Sequence, residues 1–179
     1  MKMSTKRLAV LGMLSALSLI IFIIELRLPS LIPIPGVKPG LSNIVVLVAL
    51  FAYDRKSAAA VLFVKTVLGA VFAGSMLRFL YSFAGSVCCF AVAAALRGAV
   101  RDKQIWFLSA VAACAHNFGQ LLTARLVLGT AQIWWYAPIL ALSGVATGVF
   151  TGLCVGFALP VLRKAERKRD SAHREEKKE

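Results

Sequence analysis

Acidic side chains are scarce in this chain. Eight aspartates and glutamates stand against 21 lysines and arginines in 179 residues, a formal charge of +13. The only adjacent acidic pair is Glu175-Glu176, and no DDxxD occurs. Magnesium needs carboxylates, so a diphosphate cannot be held here through an aspartate-rich cluster. No P-loop is present, and any ATP-driven step must borrow its ATPase from another protein. CxxC is missing as well. Cys88, Cys89, Cys114 and Cys154 all lie inside apolar runs, and a vicinal pair frames neither a disulfide nor a zinc site well. The four read as small membrane hydrophobes. No metal, cofactor or enzymatic centre is expected. Charge is sparse overall, at 16% against about 25% in soluble domains.

Hydrophobic residues make up 59% of the chain and the mean hydropathy is +0.79. Six apolar segments follow one another: 8–26, 41–53, 57–77, 80–99, 104–128 and 135–162. They predict an all-α integral membrane protein, a single six-helix transmembrane bundle over 1–162 with a charged tail over 163–179. The first segment follows Lys6-Arg7 and has no A-x-A-like site before Glu25, so it reads as a retained helix and not a signal peptide. The second segment is too short to span alone, since about 20 residues are needed. Of the 21 basic residues, 16 fall on the side the two termini would share. The positive-inside rule then places both termini in the cytoplasm and the protein in the cell membrane. The basic charge therefore serves topology and not nucleic acid. The tail, RKAERKRDSAHREEKKE, mixes both signs without an apolar stripe and reads as a solvated extension.

The five remaining cations are Arg27, Lys38, Lys65, Arg78 and Arg125. The connection Arg27–Gly40 holds Pro29, Pro33, Pro35 and Pro39, which exclude a regular helix. Its apolar residues make it either a lid over the bundle or a packed link. Asn43 follows at the head of the short second helix, where it caps the helix or faces a cavity. Lys65 lies about 12 Å inside the third segment, counted from Ser57. It either snorkels to the interface or meets an anion that a ligand supplies, because Asp54 and Asp102 sit in turns and Glu25 at the far end of helix one.

CAHNFGQLLTAR, Cys114–Arg125, interrupts the fifth apolar segment with His116, Asn117, Gln120 and Arg125. Spacings of three and four put the first three on one face. The stripe lines a cavity or forms interhelical bonds of about 1 kcal/mol each. Arg78 and Tyr81 lie at the same outer level, and Trp134-Trp135-Tyr136 reads as an interfacial belt. Gly144, Gly148, Gly152 and Gly156 recur every four residues and predict a close helix approach. Gly12 and Ala16 form a shorter patch of the same kind, either packed internally or open to a partner.

PGLSNIVVL after the proline-rich connection, FLYSFAGSVCC in the fourth segment and AHNFGQ in the fifth resemble the Gx transporter family. That family is also labelled heptaprenyl diphosphate synthase component I, and it is similar to the substrate-binding S components of energy-coupling factor (ECF) transporters. The resemblance implies capture of a small anionic molecule from outside, for uptake powered by an ECF coupling protein and two ATPases. Asn43, Lys65, Arg78, His116, Asn117, Gln120 and Arg125 are the expected substrate contacts. The alternative is a membrane accessory subunit of isoprenoid or quinone synthesis, or a scaffold in a membrane redox assembly.

Overall fold

The computed structural model describes residues 5–27 and 40–176, without the side chains of Lys6, Leu26, Ala73, Arg78 and residues 166–176. Six α-helices make up these residues: α1 (Thr5–Arg27), α2 (Asn43–Ala52), α3 (Arg55–Ala73), α4 (Met76–Leu96), α5 (Ile105–Leu128) and α6 (Ala137–Glu176). Short 3-10 turns at Asp102–Gln104 and Ala131–Tyr136 lead into α5 and α6. Four stretches, Arg7–Glu25, Phe79–Leu96, Asp102–Leu128 and Ala131–Ala165, are long and apolar enough to cross a membrane. α3 has the length but carries Arg55, Lys56 and Lys65.

α2 lies at the centre of the bundle. Its ten residues, NIVVLVALFA, are hydrophobic on every face, and such a helix is stable only when covered all round. Val45 through Phe51 are all buried, and Val46 through Phe51 share one core with Leu11 of α1, Val61 of α3, Ala93 of α4, Leu108 of α5 and Val155 of α6. The helix rises only about 15 Å and forms core between longer helices. Side chains that point outward are apolar too, among them Met13, Phe63, Phe107, Leu142 and Phe157. An exposed apolar surface of that extent suits lipid and not water.

Local sequence sets where these helices begin and close. Asp54 caps α3 by accepting from the Ser57 amide at 2.7 Å, and its carboxylate also pairs with Arg7 of α1. Arg163 pairs with Asp102 in the same way, tying α6 to the start of α5.

Small residues set the closest helix contacts. A Cβ on Gly148 would lie 2.5 Å from the Ala110 Cα, and one on Gly152 2.4 Å from the Trp106 Cα. α6 therefore rests backbone to backbone on α5. Gly144 meets Cys114 in the same register. Gly156 breaks the series: nothing lies within 4 Å of its added Cβ, so only three of the four regularly spaced glycines pack inside the bundle. α6 also runs on to Glu176, so the charged tail expected as a solvated extension is helical as far as it is described. The tail is rich in Arg, Lys, Ala and Glu, all good helix formers.

Candidate functional site

Lys65 and Glu25, two charged residues, are both buried, at 2% and 3% exposure. Residues Gly40–Asn43 join them. Glu25 closes the end of α1, and its carboxylate accepts from the Leu41 amide at 2.6 Å and the Ser42 amide at 3.1 Å. Ser18, two turns earlier on α1, donates to the Ser42 carbonyl at 2.9 Å. The entry to α2 is thus stitched to α1 by side chains that take up backbone groups no helix satisfies.

From α3, the Lys65 ammonium donates to Asn43 Oδ1 at 2.7 Å and to Ser42 Oγ at 3.1 Å. Asn43 Nδ2 lies 3.2 Å from His116 Nδ1 on α5. Asn43 therefore caps nothing; it bridges a cation on α3 to an imidazole on α5. Gly40 makes this geometry reachable. Its φ of +72° is a left-handed conformation, which glycine adopts without strain. A side chain there would also stand 3.4 Å from His116 Nε2.

α4 closes the seam from the other side. Gly85 lets it approach α5 so closely that an added Cβ would sit 2.9 Å from both His116 Cε1 and Gln120 Cγ. Ser86 and Gln120 are each 2% exposed. Among the described residues, neither Ser86 Oγ nor Gln120 Oε1 has a hydrogen-bond partner. An ammonium carries three N–H groups, and Lys65 has two acceptors. The seam thus retains hydrogen-bonding capacity on both faces, where buried polar groups are almost always satisfied.

The sequence expectations divide here. Asn43, Lys65, His116 and Gln120 come together, as the shared polar face requires. Asn117 is buried beside them, but its Nδ2 donates to the Leu140 carbonyl of α6 at 2.7 Å, which is the interhelical bond weighed as the alternative. Arg125 is half-buried nine residues beyond His116, about 13 Å along α5, and has no hydrogen bond to the seam. The Arg78 side chain and residues 28–39, where a lid was expected, lie outside the described residues. Trp134 and Trp135 face outward at 40% and 83% exposure, as an interfacial belt does, and Trp134 rests on Phe118.

One expectation is corrected. Lys65 was read as a buried cation with no internal carboxylate nearby. Glu25 folds back to hold the Ser42 amide while Lys65 holds the Ser42 hydroxyl, so opposite charges flank one residue. Glu25, Ser42 and Ser18 are the participants missed from the sequence. Only the serine three residues after the last proline of the connection, in PGLSN, hinted at a polar turn there.

The family described as heptaprenyl diphosphate synthase component I matches residues 14–158. No curated protein and no solved structure matches the chain.

Proposed function

We propose a function from one premise: this chain belongs to the heptaprenyl diphosphate synthase component I family. It is a membrane-embedded, non-catalytic component that binds the anionic headgroup of an isoprenoid substrate and acts with a separate catalytic subunit. The observation that carries this reading is the Lys65 ammonium, buried among α1, α2 and α5 with one N–H beyond its two acceptors. A phosphate oxygen would take that N–H, and charge-assisted bonds of this kind are the strong ones. Gln120, beside His116 across from Gly85, offers a further partner. The apolar surroundings of the bundle suit a prenyl tail.

The non-catalytic part rests on where the carboxylates are. Glu25 is bound to backbone amides, Asp54 to Arg7 and Asp102 to Arg163. The other five fall between residues 166 and 179. Such a distribution offers no cluster for the magnesium that prenyl transfer to a diphosphate requires. In this reading the protein sits in the cell membrane with both termini in the cytoplasm, as 16 of its 21 basic residues favour.

A second reading, capture of a small anion for ATP-driven uptake in the manner of an ECF S component, draws on a different observation. The chain re-enters the bundle at Gly40 directly against His116, so a guest in the seam lies at the foot of the first connection. α1 also leaves Ala9, Gly12 and Ala16 exposed, a small-residue face that a coupling protein would fit.

Purification of the tagged protein from its native membrane in mild detergent separates the two. Recovery of a soluble prenyl synthase without ATPases supports the first reading. Recovery of a coupling protein with two ATPases overturns it in favour of the second.

A further inference from the structure

A second group of cations lies at the opposite end of α3, about 15 Å along the helix from Lys65. There the α2–α3 turn, the start of α3 and the turn after α4 border an open cleft of about 530 Å³, lined by Asp54, Arg55, Lys56, Arg97 and Gly98. The one acid in it is already engaged. Asp54 pairs with Arg7 and accepts from the Ser57 amide, which leaves the field of Arg55, Lys56 and Arg97 uncompensated within the cleft. Arg97 is held in place, since its Nη2 donates to the Tyr53 carbonyl at 3.1 Å. One guanidinium edge is spent on that bond; a guanidinium has five donors in a fixed fork. No neighbour lies within 4 Å of a Cβ built on Gly98, so that wall is clear. The amides of Arg55 and Lys56 belong to the first turn of α3, where the helix itself offers no acceptor.

We propose that this cleft is a binding site for a phosphate-bearing headgroup, separate from the Lys65 seam and independent of the function proposed for it. Three cations on two elements converge on one concavity, and the fork geometry of Arg97 matches phosphate oxygens. The cleft sits where the helices end, at the level of lipid headgroups. It is on the side to which the basic turns assign the cytoplasm, where anionic lipids attract clustered Lys and Arg. The phosphate belongs either to a membrane lipid or to a soluble diphosphate; both present the same oxygens to the same cations.

The test uses the full chain in nanodiscs of phosphatidylcholine, with thermal unfolding as readout. One arm adds inorganic diphosphate and the other replaces part of the lipid with phosphatidic acid. Stabilisation in the first arm identifies a soluble ligand, and stabilisation in the second alone identifies a lipid. In either case Lys56→Gln and Arg97→Gln should each raise the amount of ligand needed for half the effect about tenfold, the order of one charge-assisted bond. Lys103→Gln, an exposed cation outside both the cleft and the seam, should leave it intact. Arg97→Gln also removes the bond to Tyr53, so a folding defect there shifts the decision to Lys56→Gln, whose side chain is exposed. No stabilisation in either arm, or equal stabilisation of wild type and Lys56→Gln, overturns the proposal. So does a response that only Lys65→Met abolishes.

Discussion

Adding a single methyl group to α6 at neighbouring turns should have effects of opposite sign. In Gly148→Ala the new Cβ would stand 2.5 Å from Ala110 Cα and 2.7 Å from the Ser109 carbonyl oxygen. In Gly152→Ala it would stand 2.4 Å from Trp106 Cα. These are backbone atoms, which cannot rotate away as a side chain can, so α5 and α6 must separate. Overpacking of this kind costs about 1–3 kcal/mol, and the separation also weakens the buried Ser109–Thr151 contact at 2.7 Å. Gly156→Ala meets nothing within 4 Å. It keeps only the helix-propensity gain of alanine over glycine, up to about 1 kcal/mol. Equilibrium unfolding in mixed detergent micelles, followed by circular dichroism, reads all three variants. Gly148→Ala and Gly152→Ala should unfold earlier than wild type, and Gly156→Ala at the same point or later. Equal losses in all three would refute the split drawn through the glycine series.

Two further outcomes follow from single contacts. Asn117→Ala removes the bond to the Leu140 carbonyl and should cost about 1 kcal/mol in the same unfolding assay, with diphosphate binding unchanged; a loss of binding without a loss of stability would move Asn117 into the site. Asp54 is held below the usual carboxylate range, from 3.8 to about 2, first by the Ser57 amide and then by Arg7. Its contribution is therefore complete above about pH 4 and disappears as pH falls towards 2. It is modest, because the pair is partly exposed. Asp54→Asn should lack this part of the acid-induced loss when unfolding is followed from pH 5 to 2, and a decline identical to wild type would contradict the assignment.

Much of the seam was legible in the sequence because polar residues are conspicuous in apolar segments. Lys65, His116 and Gln120 stand out, and helical spacing alone puts His116 and Gln120 on one face. The brevity of the second apolar segment showed only that it does not span alone; that its ten-residue helix forms core between longer helices came from the structure. What could not be read was how the chain folds back after α1. Glu25 and Ser42 are 17 residues apart, and their meeting depends on the path of the connection and not on any periodicity. The same holds for Gly85. Its role appears only when α4 lies against His116 and Gln120, because an isolated glycine lacks the repeat that marked α6. That repeat overstated its own reach, as Gly156 lies past the end of the close approach between α5 and α6.

The central claim is that the Lys65 seam holds an anionic isoprenoid headgroup. Calorimetric titration of farnesyl diphosphate into the full chain in phosphatidylcholine nanodiscs tests it most directly. A Lys56→Gln background lowers any contribution from the basic cleft. The account predicts saturable binding that Lys65→Met weakens about tenfold or more while the helical content is unchanged. Equal affinity with and without Lys65, or no binding in its presence, would contradict it.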